Sequence, residues 1–191
     1  MKTLTFLFLL LSTNLFAQDK RENRKFFDDF FPNANSKIIY TEQQFHDIDY
    51  IISLVKDADT IRKTEYNDRI GKIKIDSIIL SNPEIDYVSA NIKTNNDKLW
   101  AKNIMPNATY ISRKKINTIF GDKSKGWDYF EKKYEDTFYS FSKPIFLRNN
   151  SICFIYIGVG CGSLCGSASF DVYVKQDDKW IPFTSLCIWI S

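Results

Sequence analysis

The densest chemistry in the chain lies in nine residues, Gly158-Val159-Gly160-Cys161-Gly162-Ser163-Leu164-Cys165-Gly166. Two thiols stand at C-x-x-x-C spacing among four glycines, which permit positive φ and close backbone approach. Three chemistries use such a pair. A structural disulfide, Cys161–Cys165, would staple a tight loop between two strands, with a gain on the order of 2–3 kcal/mol for so short a loop. A redox pair has C-x-x-C opening a helix whose N-terminus lowers the thiol pKa; here the spacing is one residue longer and the flanks read as strands. A zinc site needs four ligands, of which two Cys supply half. The single histidine, His46, is far away in sequence. The staple is the expected state.

The remaining thiols are Cys153 and Cys187. In a simple meander they sit on strands separated by a third, about 10 Å apart and at opposite strand ends, whereas a disulfide needs Cα atoms within about 7 Å. They are not expected to pair. Cys161–Cys187 and Cys165–Cys187 stay open as alternatives, because sequence does not fix connectivity.

Acid–base chemistry near neutral pH has one ordinary candidate, His46. On a helix over 42–57, Glu42, His46 and Asp49 or Tyr50 share a face, which reads as a metal or acid/base cluster or, more plainly, as a solvated face carrying a Glu–His pair. Glu84 and Asp86, just after Pro83, read as turn residues. Asp28 and Asp29 read as solvated helix charges. No G-x-S-x-G elbow, P-loop, H-E-x-x-H or EF-hand loop is present. Arg113-Lys114-Lys115 and Lys132-Lys133 read as solvated helix faces. No catalytic residue, metal site or cofactor is assigned.

The elements that must carry these residues follow from pattern. Residues 1–17 have a positive n-region at Lys2, an apolar run Leu4–Leu11 and a small residue at Ala17, the form of a secretory signal peptide cleaved before Gln18. The apolar run is too short to span a bilayer, and no Cys follows it to carry a lipid. Residues 18–191 are expected to form a single α+β domain. Gln18–Lys25 reads as polar and frayed. Phe26, Phe27, Phe30 and Phe31 mark one face of a short helix ended by Pro32. Asn33–Lys37 reads as a loop. Thr41-x-x-Gln44 has the capping-box form, placing a helix from Glu42 to Asp57. Ile70–Ser81, Tyr87–Lys93 and Leu99–Met105 read as strands. Ser112 caps a short helix ending at Gly121, and Trp127, Phe130 and Tyr134 mark another. From Tyr139 the chain reads as all-β, with strands over 140–147, 151–159, 167–175 and 180–190. Helices come mostly early and strands mostly late, which predicts N-terminal helices packed on a mainly antiparallel C-terminal sheet.

The motifs Phe141-Ser142-Lys143-Pro144-Ile145-Phe146, Cys161-Gly162-Ser163-Leu164-Cys165-Gly166, Lys179-Trp180 and Trp189-Ile190-Ser191, in that order, resemble a family of uncharacterised exported proteins of Bacteroidetes-type bacteria. The likeness extends upstream through Trp100 to Trp127-Asp128-Tyr129-Phe130. One departure is Asp178 before Lys179-Trp180, where the family pattern has Gly. The resemblance implies an exported α+β protein and brings no activity.

Composition fits that reading. Apolar residues make up 44% and charged residues 26%, ordinary globular usage that excludes disordered and multi-span membrane classes. A net charge of +3 is too small to argue for nucleic acid. The expectation is an exported protein, periplasmic or extracellular, that acts as a non-catalytic binding or envelope-associated module. Its surface would comprise Gly160, Gly162, Gly166, Trp180 and Trp189. Its partner would be a protein or small ligand of the cell envelope, without membrane insertion. The alternatives are an enzyme using Cys161, Cys165 or His46, and a curved sheet enclosing an apolar ligand.

Overall fold

The computed structural model describes residues 21–31, 37–43, 45, 47–58, 60–65, 73–95, 100–102, 104–105 and 107–190. Residues 1–17, Gln44 and His46 lie outside the described residues, and with them the signal-peptide reading and the histidine candidate. Among the described residues there are five helices: α1 over 21–30, α2 Ile48–Asp57, α3 Asn82–Asn95, α4 Arg113–Gly121 and α5 Gly126–Lys133. The strands are β1 Ile38–Glu42, β2 Ile61–Arg62, β3 Ser77–Ile78, β4 Ala108–Tyr110, β5 Phe138–Phe141, β6 Ile145–Leu147, β7 Ile152–Gly160, β8 Gly166–Gln176 and β9 Lys179–Ile190. Seven of them form one mixed sheet in the order β4-β1-β5-β7-β8-β9, with β6 also paired to β7. β2 and β3 form a separate two-stranded ribbon. The fold is α+β, with its C-terminal strands antiparallel and its helices interleaved with strands rather than gathered at the N-terminus.

The antiparallel half follows directly from the sequence. β8 and β9 meet through a two-residue turn, Asp177-Asp178, both at positive φ, the conformation that matches the twist of a hairpin. β5 and β6 are one strand interrupted at Ser142–Pro144. Phe141 faces Ile157 and Ile145 faces Phe154, so four steps on one strand meet three on the other. Ser142 repairs the ladder there. Its amide donates to Tyr156 O at 2.9 Å, and its Oγ accepts from Tyr156 N at 2.9 Å. β9 carries two further bulges against β8.

The N-terminal half differs from the pattern reading in five places. The polar stretch 21–25 belongs to α1, because Glu22 and Asn23 are buried against the sheet beside the phenylalanines. Thr41 and Glu42 end strand β1 rather than cap a helix. β1 inserts between β4 and β5, parallel to both, and α2 begins only at Ile48. Tyr87–Lys93 is helical. Ile85, Val88 and Ile92 line one face of α3, and Glu84 caps its start, its Oε2 accepting from both Ser81 N at 2.8 Å and Ser81 Oγ at 2.9 Å. The strands read at Ile70–Ser81 and Leu99–Met105 shrink to Ser77–Ile78 and to none among the described residues.

Both faces of the sheet are covered. On one, α2 and α3 set Ile51, Ile52, Val55, Val88 and Ile92 against Ile145, Phe154, Phe170 and Phe183. On the other, α1 sets Phe26 and Phe27 against Phe141, Tyr173 and Trp180, with ring centroids 4.9–5.7 Å apart. Two phenylalanines so fully buried contribute about 1.5–3 kcal/mol each. α1 is also tied by polar contacts. Glu22 Oε1 accepts from Trp180 Nε1 at 3.2 Å and pairs with Lys175, Asp29 Oδ2 accepts from Trp180 N at 3.0 Å, and Lys25 pairs with Asp178. A third cluster, Ile39, Ile111, Ile116, Ile119 and Phe130, holds α4 and α5 over the β1 end.

Two consequences for stability follow. Glu22→Ala leaves the enclosed Lys175 ammonium and the Trp180 indole N–H without their acceptor, and about 3 kcal/mol of unfolding free energy is expected to be lost in a urea titration. Asp28→Ala, on the exposed side of the same helix, is expected to stay within about 0.5 kcal/mol. Equal losses would mean that the phenylalanines alone hold α1. The second consequence concerns acid. The Arg148 side chain, then the Ser81 amide, hold the Glu84 carboxyl down at about 2 against an ordinary 4.5. A carboxyl lowered in the folded state stabilises fully above its unfolded pKa and loses that contribution as pH falls through the folded one. The stability gap between the native chain and Glu84→Gln is therefore expected to be about 1 kcal/mol at neutral pH and to close between pH 4.5 and about 2.

Candidate functional site

The hairpin joining β7 to β8 is closed by a disulfide between Cys161 and Cys165, with Cα atoms 5.0 Å apart. The Cys161 amide donates to Cys165 O at 2.9 Å, and Gly162 turns the chain at φ +129°, a conformation that favours glycine. Leu164 at the tip is 92% exposed. Cys153 and Cys187 are free, and neither is activated. Burial pushes the Cys153 thiol well above its ordinary range and raises that of Cys187 to about 11, so both are protonated and poorly nucleophilic at neutral pH.

Below the loop, a groove of about 540 Å³ runs across the sheet between the α2–α3 cover and the α4–α5 cover. Its floor consists of small residues. A Cβ on Gly158 would stand 2.4 Å from Ser140 Oγ, and one on Gly160 would stand 2.7 Å from the Phe138 ring. The two glycines therefore let Ser140 and Phe138 lie flat across β7. Ala168 continues the floor onto β8, and Trp189 of β9 forms a wall. The Trp189 ring packs on Tyr156 with centroids 5.5 Å apart, and Tyr50 of α2 backs it at 6.5 Å.

One end of the groove is charged. Arg113 is the first residue of α4 and reaches the groove with Gln43, whose Oε1 accepts from Arg113 Nη1 at 2.6 Å. That is the one hydrogen bond of its side chain among the described residues, and no carboxylate lies within ion-pair distance of it there. The backbone beneath is held firmly. Arg113 N donates to Glu42 Oε1 at 3.0 Å, and Tyr110 OH donates to Glu42 Oε2 at 2.6 Å. The buried Glu42 carboxylate thus caps the α4 N-terminus, together with Ser112. Burial lowers the Arg113 pKa, opposed by the negative charge of Glu42. Burial likewise raises the Tyr156 phenol, which stays neutral at physiological pH. Neither the Tyr156 hydroxyl nor Ser140 Oγ has a hydrogen-bond partner among the described residues. A guanidinium, a phenol and a hydroxyl therefore line a groove whose other polar side chains are Gln43 and Ser167.

The sequence-derived surface divides here. Gly160, Gly166 and Trp189 line the groove, and Gly160 and Gly166 face each other across the hairpin. Gly162 lies in the disulfide loop. Trp180 lies on the opposite face, 6% exposed beneath α1. The nine-residue separation of the two tryptophans already places them on opposite faces of a strand, and the two bulges of β9 cancel each other's effect on that parity. Glu42, Asp49 and Tyr50 share no helix face, since Glu42 belongs to β1. Glu84 sits in the first turn of α3, tied to Arg148 at 2.7 Å, and Asp86 follows it on the same helix. Arg113, read as part of a solvated face, is a groove residue instead. Its signal was its position, because a cation directly after a capping serine opposes the helix dipole. Among the described residues no three His, Cys, Asp or Glu side chains gather as a metal site, and no helix is long and apolar enough to cross a membrane.

The floor predicts its own response to substitution. Gly160→Val drives two methyl groups into Phe138 and is expected to cost about 2 kcal/mol in a denaturant titration. Gly121→Ala, with nothing within 4 Å of the added carbon, is expected to be neutral or to stabilise by about 0.5 kcal/mol. An unaltered Gly160→Val chain would mean that Phe138 does not rest on β7. Comparison with known protein families, curated proteins and solved structures returns no match for this chain.

Proposed function

We propose that the protein is an exported, non-catalytic binding module that takes its ligand in the groove over Gly158 and Gly160. The observation that carries this reading is the groove itself. It has a floor kept low by glycines, aromatic walls, and three groups turned to it with hydrogen-bonding capacity left over among the described residues: the Nε–Nη2 edge of Arg113, the Tyr156 hydroxyl and Ser140 Oγ. A concave, largely apolar site with few convergent polar groups is the usual form of a small-ligand site. The disulfide supports an oxidising compartment, in agreement with the signal-peptide reading of residues 1–17. The resemblance to exported Bacteroidetes-type proteins points the same way. The thiol-enzyme alternative would need a free Cys161 or Cys165, and both are bonded to each other.

Two measurements test the proposal. A neutral apolar dye, N-phenyl-1-naphthylamine, is expected to bind saturably and to quench tryptophan emission. Ala168→Phe, which fills the floor, is expected to weaken that binding at least tenfold while the protein still unfolds cooperatively. Dye binding that is absent, or indifferent to Ala168→Phe, would overturn the groove reading. For export, the intact mass of protein from the cell envelope is expected to begin near Gln18 with two thiols masked until reduction. A full-length mass would overturn it.

A further inference from the structure

We infer that the ligand of this groove is a monoanion: a carboxylate gripped by Arg113, attached to a flat aromatic or apolar body that lies over Gly158 and Gly160 against Trp189 and Tyr156. The inference rests on the groove reading above and names the chemical class that the groove takes.

Arg113 sets the charge and the shape of the anion. Its Nη1 is committed to Gln43 at 2.6 Å. That leaves the Nε–Nη2 edge without an acceptor among the described residues. This edge presents two parallel N–H donors at the spacing of the two oxygens of a carboxylate, the fork that gives arginine its preference for such groups. The guanidinium is half-buried and backed by an apolar wall, where a charge-assisted pair is stronger than in open water. Pairing such a group with a ligand also satisfies the two donors that Gln43 leaves open.

The surroundings exclude a more highly charged ligand. Among the described residues Arg113 is the one cationic side chain lining the groove, and the carboxylate of Glu42 stands behind it, accepting from the Arg113 amide at 3.0 Å. A dianionic phosphate would meet one positive charge and a nearby negative one. A carboxylate is matched by Arg113 alone. The hydroxyls of Tyr156 and Ser140 add donors without adding charge, which suits a polar atom next to the carboxylate, such as an amide carbonyl.

The body of the ligand is set by the floor. Ser140, Gly158, Gly160 and Ala168 leave a strip free of large side chains, on which a flat group can lie. Trp189 and Tyr156, packed on each other at 5.5 Å, offer an aromatic wall for offset or edge-on contact with it. A volume of about 540 Å³ accommodates one aromatic acid or the last residues of a peptide ending in one. Both sources share the same chemistry, a carboxylate beside an aromatic group.

The test titrates the whole protein with N-acetyl-L-phenylalanine, its C-terminal amide, and the tripeptide Ala-Ala-Phe, following tryptophan emission and displacement of N-phenyl-1-naphthylamine. The acid is expected to bind at least tenfold more tightly than the amide. Arg113→Gln is expected to erase that difference while the dye still binds and the protein still unfolds cooperatively, and Arg113→Lys, which keeps the charge and loses the fork, to give an intermediate preference. A tripeptide that binds as well as the acid assigns a peptide C-terminus as the source, and one that binds tenfold more weakly assigns a small aromatic acid. Equal binding of acid and amide, or a preference that survives Arg113→Gln, overturns the carboxylate inference. So does failure of both to displace a dye that still binds in the groove, and in these cases the groove reading stands. Loss of dye binding together with acid binding overturns both.

Discussion

Strand β7 is buried on both faces from Ile152 to Gly158, and the rest of the fold answers that demand. An antiparallel sheet commonly leaves one face to water. Here the alternating set Phe154 and Tyr156 requires one cover, while Cys153, Ile155 and Ile157 require another. The N-terminal two thirds of the chain supply them. α1 closes one face with phenylalanines, and α2 with α3 closes the other. The glycines begin where this double burial ends. At Gly158 and Gly160 one cover stops, the next has not begun, and the backbone of β7 itself becomes the floor of a groove.

The charged end of the groove comes from a second constraint, the termination of β1. Glu42 is the last residue of that strand and is buried, so its carboxylate needs donors. It takes the Tyr110 hydroxyl and the first amide of α4. That arrangement fixes where α4 starts and therefore where Arg113 points. The cation is thus placed by the same contacts that finish the sheet, and the groove inherits a rigid anchor rather than one carried on a loop.

How much of this the sequence disclosed depends on whether local pattern and tertiary context agree. The C-terminal hairpins were legible because Phe170, Val172 and Val174 alternate with polar neighbours and the turns at Asn149-Asn150 and Asp177-Asp178 hold residues that tolerate positive φ. The Cys161–Cys165 staple was the favoured of several pairings that the sequence left open, and the α4 cap at Ser112 was legible from residue type. β1 was not, because a parallel strand buried on both faces has no alternation, and Thr41-x-x-Gln44 imitates a cap. α3 was misread because its β-branched residues outweighed the capping signal Ser81-x-x-Glu84. The groove was half legible. Gly160, Gly166 and Trp189 stood out by type, whereas Arg113, Tyr156 and Ser140 are ordinary residues until the sheet assembles them. Trp180 drew attention by type too, but its parity relative to Trp189 assigns it to the other face.

The anchoring of α1 bears on the order in which the molecule can assemble. Among the described residues, every side-chain polar partner of that helix lies near the far end of the chain, with Glu22 meeting Lys175 and Trp180, Lys25 meeting Asp178, and Asp29 meeting Trp180. Contacts separated by some 150 residues close last, because the loop-closure entropy must be met before they give anything back. The earliest helix among the described residues is therefore the last to find its place, and the face of β7 that it covers stays open until the final hairpin has formed.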